Sequence, residues 1–207
     1  MLHTLRASQK VEVVGLMTTL NAEFDRVAMH ATRRSLLEAQ AEAAGLPLLT
    51  IPLPWPCSNA AYESKMLSAL EEAREKWAID CIAFGDLFLE DVRAYRESQL
   101  ASTGLKLLFP LWQVPTADLA KQMIANGLRA VLTCVDPRRL DARFAGRFFD
   151  EALLAELPED VDPCGETGEF HTFAFDGPMF AHPLRISIGE TVVRDGFTFT
   201  DILPLSE

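Results

Sequence analysis

The stretch Asp80-Cys81-Ile82-Ala83-Phe84-Gly85-Asp86, followed by Leu89, Val92, Tyr95, Arg96 and Leu100 at helical spacing, decides the fold. An apolar run this short, bounded by glycine and an acid, reads as a buried strand rather than a helix. Strands and helices alternate on both sides of it. Upstream, Val11 to Thr18 and Leu46 to Leu53 read as strands around a helix from Met29 to Ala44, with Gly45 placed to close that helix. Between Leu53 and the central strand, Pro52-Leu53-Pro54-Trp55-Pro56 is a rigid loop, because proline restricts its predecessor and donates no N–H. Ser58 or Asn59 then caps a helix whose Tyr62, Met66, Ala69, Leu70, Ala73 and Trp77 form a core stripe. Downstream, Leu105 to Phe109 and Ala130 to Val135 are strands flanking a helix from Thr116 to Asn126 that Gly127 ends.

Strands and helices alternating at this spacing predict an α/β fold, a doubly wound, mostly parallel, Rossmann-like sheet. After Asp136-Pro137 the pattern changes to a loop rich in arginine and phenylalanine, a short helix near Asp150 to Leu157, an acidic linker and strands at His171 to Asp176 and Leu184 to Ile188. Asp195-Gly196 between apolar runs is the signature of a type I′ hairpin. The expected organisation is therefore an α/β domain over residues 1–136 and a smaller, strand-rich domain over residues 137–207.

Net charge is −11, which opposes binding to a phosphate backbone and argues against nucleic acid as partner. Residues 151–170 hold seven acids and no lysine or arginine. Arg138, Arg139, Arg143 and Arg147 just before them either form an anion site or pair with Asp136, Asp141 and Asp150. The four cysteines, Cys57, Cys81, Cys134 and Cys164, have no C-x-x-C spacing, which argues against a zinc cluster or redox pair; Cys81 and Cys134 are expected to be buried. No apolar run is long enough for a membrane span and the start lacks the order of a signal peptide, so no membrane partner and a cytoplasmic location are expected.

In open α/β sheets ligands bind outside the carboxyl ends of the strands. That rule nominates Thr18 and Thr19 with Met29 and His30 beyond them, then Gly85 and Asp86, then Trp112, then Asp136. Asp86 suits magnesium as a hard oxygen ligand and equally suits an N-cap. The densest polar stretch is Cys164-Gly165-Glu166-Thr167-Gly168-Glu169-Phe170-His171-Thr172. It reads either as a site, with Glu166 and Glu169 accepting protons around backbone-exposing glycines, or as a solvated turn entering a strand.

These residues carry a resemblance to the diphthine:ammonia ligase family, a PP-loop branch of the adenine nucleotide alpha hydrolase-like superfamily. Arg26 to His30 with Arg33, Gly85-Asp86 with Arg96-Glu97, Pro110-Leu111-Trp112, Gly146, and above all Gly165 to Thr172 resemble its motifs; the last is similar to the family's E-G-G-E-[FY]-E-T signature, with Thr167 in place of a glycine and His171 in place of a glutamate. The resemblance implies an ATP- and Mg2+-dependent ligase that adenylates a small-molecule or protein carboxylate for attack by ammonia. It implies nucleotide-binding roles for Thr18, Met29, His30, Gly85, Asp86 and Arg96, with Asp86 as metal ligand. Catalytic roles fall to Glu166, Glu169 and His171, and substrate contacts to Trp112, Gly165, Gly168 and Thr172.

The family places a strand and an S-G-G-K-D-S loop ahead of a helix whose end Met1 to Arg6 resembles. That strand belongs beside both the strand near residue 11 and the one near residue 80. The expectation is a truncated start that binds ATP weakly; otherwise the neighbouring strands close the gap or a second chain fills it. Two other readings compete with the ligase. One is a non-catalytic nucleotide- or metabolite-binding module, and the other a subunit that forms a homodimer through sheet edges.

Overall fold

A computed structural model describes residues 1–27 and 30–205. In chain order its elements are α1 (Leu2–Ser8), β1 (Leu16–Asn21), α2 (Arg34–Ala43), β2 (Leu48–Leu53), α3 (Asn59–Trp77), β3 (Cys81–Ala83), α4 (Glu90–Leu100), β4 (Lys106–Leu108), α5 (Thr116–Ala125), β5 (Arg129–Val135), α6 (Glu151–Glu156), β6 (Phe170–Asp176), β7 (Ile186–Arg194) and β8 (Phe197–Pro204). They fall into two compact units, the first made of Met1–Asp25 and Leu46–Val114, the second of Arg26–Gly45 and Pro115–Glu207. No helix among the described residues is long and apolar enough to cross a membrane.

In the first unit β1 pairs parallel with β2, Leu16 opposite Leu48 through Asn21 opposite Leu53, and β3 pairs parallel with β4. Pro52 is tolerated because, among the described residues, β2 pairs with β1 alone, so its missing N–H breaks no second ladder. Ser58 caps α3 by accepting from the Ala61 N–H at 3.2 Å. The stripe read on α3 packs as expected: Ala69, Ala73, Tyr62, Met66 and Trp77 lie against Leu49, Ile51 and Leu53 of β2. Leu70 turns instead to Leu100 and Leu105.

The expected continuous sheet is not what forms here. Among the described residues β1 and β3 have no strand between them, and a groove of about 740 Å³ is lined by Val11 to Thr19 on one side and Ile79 to Phe84 on the other. The strand expected from Val11 begins only at Leu16, and Val11–Gly15 line the groove without a ladder. Among the described residues β1 and β3 do not pair with each other.

The second unit is built on an antiparallel sheet in the order β6-β5-β8-β7. β5, expected as a parallel strand, is its antiparallel centre, paired with β6 on one side and β8 on the other. It is buried from Ala130 to Val135. Ala130 and Leu132 face one core with Leu140, Phe144, Leu153 and Phe170, whereas Val131 faces another with Phe173, Phe175 and Leu36 of α2. Each fully buried side chain of this size stabilises the fold by about 1.5–3 kcal/mol. A bulge then shifts the alternation, since Leu132 is opposite Thr172 and Cys134 is opposite His171, which leaves Thr133 as the extra residue. The hairpin turn has φ of 49° at Asp195 and 81° at Gly196, the positive pair that a type I′ turn requires.

Candidate functional site

The motif loop is organised by two acids. Asp162 Oδ1 accepts from the N–H of Cys164 at 2.8 Å and of Glu166 at 3.3 Å, which folds the chain into a turn. Gly165 is required there: its φ is 70°, and a Cβ would lie 2.7 Å from the Phe170 carbonyl oxygen. Gly168 has φ of 87° in open space. Glu169 is 2% exposed and its carboxylate turns back into the loop, where Oε1 accepts from the Asp162 N–H at 3.1 Å and from the Thr167 hydroxyl. Arg139 Nη1 donates to the same hydroxyl at 3.0 Å, completing a chain Arg139–Thr167–Glu169. Glu169 Oε2 is buried with no hydrogen-bond partner among the described residues. A buried carboxylate oxygen left open is costly and is a place where an N–H donor gains most. Glu166 is half-buried in the same turn. The stretch is a half-buried turn that leads into β6.

Beyond the loop, the His171 ring lies against the His30 ring, centroids 4.5 Å apart and planes tilted by 39°. His30 bonds to the Thr172 backbone, and burial nonetheless pushes its pKa down. Burial, and then the neighbouring His30, lower His171 to about 4, so both rings are neutral at pH 7. Thr133, at the bulge, donates to the His171 carbonyl at 3.3 Å. The turn carrying His30 is pinned by Asp201 of β8, which receives Arg26 Nη1 at 2.9 Å and Arg33 Nε at 3.2 Å. Arg26 Nη1 also donates to the Ala31 carbonyl at 2.7 Å. Met29 lies outside the described residues.

The remaining candidates sit in the first unit. Asp86 is not an N-cap, since α4 starts after Leu89. Arg96 instead grips both its carboxylate oxygens, at 2.7 and 3.0 Å, and lies over the Phe84 ring at 4.4 Å. Trp112 packs edge-on to Phe109, with Arg93 over both rings at 4.6 and 4.7 Å. Gly85 has ordinary backbone angles and Thr18 lines the groove. Of the nominated residues, His30, Gly165, Glu166, Gly168, Glu169, His171 and Thr172 share the second unit; Thr18, Gly85, Asp86, Arg96 and Trp112 belong to the first.

Sequence reasoning missed Thr133 and Asp201. The one polar residue in the apolar run of β5 was the only trace of the first, and nothing local signals the second. Cys81 is half-exposed, not buried as expected, because β3 is flanked by the groove. Of the arginine cluster, Arg138 pairs with Asp136 as anticipated, whereas Arg147 pairs with Glu156.

Residues 115–203, in the second unit, match the family model "Diphthamide synthase C-terminal domain". The chain is 27% identical over 87% of its length to a diphthine--ammonia ligase of Danio rerio, covering 76% of that protein. It is likewise 27% identical to the Bos taurus diphthine--ammonia ligase, covering 73% of it, and 28% identical over 118 residues to the one from Schizosaccharomyces pombe, where the match covers 55% of this chain and 20% of that protein. Over most of its length the chain is thus similar to diphthine--ammonia ligases.

Proposed function

We propose that this protein is an amide-forming ligase in which the loop Gly165 to Thr172 handles the nitrogen nucleophile and a small-molecule or protein carboxylate is the acceptor. The observation that carries the reading is the buried, unpartnered Glu169 Oε2 within the loop that bears the family motif. Held by Thr167 and Asp162 through its other oxygen, Glu169 presents one fixed acceptor to an N–H of ammonium or ammonia. Glu166, at the rim of the same turn, adds negative charge that favours a cation there.

ATP is the activating group that this reading implies. The groove in the first unit suits a nucleotide in size and lining, about 740 Å³ with Thr18, Phe84 and Arg96 along it. Thr18 and Arg96 are the residues that would hold it. Bound there, the nucleotide would turn a poorly departing carboxylate oxygen into a good leaving group. Magnesium does not fit Asp86 as it stands, because Arg96 occupies both oxygens. That pairing also favours the second reading, a metabolite-binding module on the same fold.

The test is a reaction of the full chain with ATP, magnesium, ammonium chloride and a panel of carboxylates, including diphthine, read by mass spectrometry as conversion of acid to primary amide. Amide formation that falls about 100-fold in Glu169→Gln is the expected result. Unchanged conversion by that variant, or ATP binding with no amide from any carboxylate, removes the assignment.

A further inference from the structure

The pair formed by His30 and His171 is unexplained by the amide-forming reading alone. These two imidazoles come from opposite ends of the unit, one in the turn before α2 and one on β6, and meet ring to ring at 4.5 Å. Two devices hold them. Asp201 fixes the turn through Arg26 and Arg33, while the bulge at Thr133 ties the His171 backbone to β5. His30 donates one ring N–H to the Thr172 backbone, so its second nitrogen is left with a lone pair. Among the described residues, Glu169 stands two positions before His171, Cys134 is opposite His171 on β5, and Arg26, Arg33 and Asp201 clamp the turn that carries His30. Cys134 stays a neutral thiol, burial and then Asp136 pushing it up to about 12.

We propose that His171 is the proton acceptor for the nitrogen nucleophile and that His30 is its positioning residue. This rests on the amide-forming reading. When ammonia adds to the activated acyl carbon, its lone pair forms the C–N bond and the nitrogen becomes positively charged. The His171 imidazole takes one proton from that nitrogen as the C–O bond to the leaving group breaks and the leaving group departs with the bonding pair. A neutral ring is needed at the start of that step. Burial and the His30 ring keep His171 uncharged, because two imidazolium rings in contact repel. A weakly basic imidazole cannot strip free ammonium efficiently, so the species that reacts is ammonia, and the proton moves only once addition has acidified the nitrogen.

The experiment is NMR of the full chain labelled with ¹⁵N-histidine, titrated with ammonium chloride above and below the pKa of ammonium, with sodium chloride at equal ionic strength as control. The expected result is a neutral His171 ring at pH 7 whose nitrogens shift with ammonia above that pKa and not with sodium chloride. In His30→Leu and His30→Gln, with folding verified by near-ultraviolet circular dichroism, the ammonia response is expected to weaken about tenfold and His171 to titrate at higher pH; a purely structural His30 would leave that titration in place. A His171 ring that is charged at pH 7, or insensitive to ammonia, overturns the proposal. Should ammonia shift His171 while no carboxylate is ever amidated, the pair stands and the ligase reading falls. If amide forms at the native rate in His171→Gln, the ligase reading stands and the pair falls.

Discussion

Arg26 and Asp201 meet at 2.9 Å although 175 residues separate them, and Arg33 joins the same carboxylate. Burial works to raise the Asp201 pKa, but the hydrogen bonds from Arg33 and Arg26 and their charges outweigh it and hold the carboxyl below its ordinary range. A depressed folded-state pKa contributes stability that is present above the unfolded value and lost as pH falls through the folded one. Asp201→Asn is therefore expected to cost about 1 kcal/mol at neutral pH, modest because the arginines stay partly solvated, and to lose less stability than the native chain on acidification. Thermal melts of both proteins, from neutral pH to below the carboxylate range, check this. Parallel curves would mean the clamp contributes no linkage.

Arg96 neutralises Asp86, a side chain only 12% exposed, with two near-parallel bonds. Arg96→Ala leaves a mostly buried carboxylate unpaired and is expected to cost about 1–3 kcal/mol in urea unfolding. The same change frees both oxygens for a hard cation. Added magnesium should then raise the melting temperature of Arg96→Ala more than that of the native chain. Equal shifts would show that the guanidinium does not compete with metal at this carboxylate.

Local signals were legible where the backbone leaves one solution. Asp195-Gly196 turns because both residues take positive φ, Ser58 caps α3 through its own hydroxyl, and Gly45 ends α2 with φ of 65°. The α3 stripe also packed as its spacing required. Pairing direction was not legible for β5, because a strand buried on both faces reads as one apolar run whether its neighbours are parallel or antiparallel. His30 illustrates the same limit at the site. Its local sequence suits a solvent-facing helix start or a strand-end ligand position, and only the distant Asp201 and His171 bring it into the second unit's polar cluster. Position 169 was nominated as a carboxylate beside the two glycines of the motif. That Thr167 would anchor one of its oxygens and leave the other open is visible only in the folded loop.

The two glycines of the motif should respond differently to alanine. At Gly165 an alanine meets both a φ of 70° and the Phe170 carbonyl oxygen at 2.7 Å, so the turn must open to admit it. About 1–3 kcal/mol is the expected loss, with the hydrogen bonds around Asp162 disrupted. At Gly168 the backbone angle is equally left-handed but nothing lies within 4 Å, and about 1 kcal/mol is expected. Denaturant unfolding of the two variants checks the order. A Gly168→Ala protein less stable than Gly165→Ala would contradict the packing at Phe170.

The thiols give a last check on burial that needs no ligand. Burial and then Asp136 drive Cys134 up to about 12, while burial and then Asp162 and Glu166 do the same to Cys164. Cys81 is raised as well, by burial first and then by Asp80. Alkylation requires the thiolate and access to it, so a thiol with such a pKa reacts slowly even where solvent touches it. Cys57 is half-exposed in the proline-rich loop. In native protein treated with iodoacetamide near pH 8, peptide mass spectrometry should find Cys57 modified first, Cys81 more slowly, and Cys134 only under denaturant. Cys164 should lag as well, although it borders the motif, because its thiol donates to the Thr116 carbonyl at 3.4 Å inside a negatively charged loop. Early modification of Cys164 would mean that the loop opens far enough to expose Glu169, and the fixed acceptor on which the proposed nitrogen site depends would be lost.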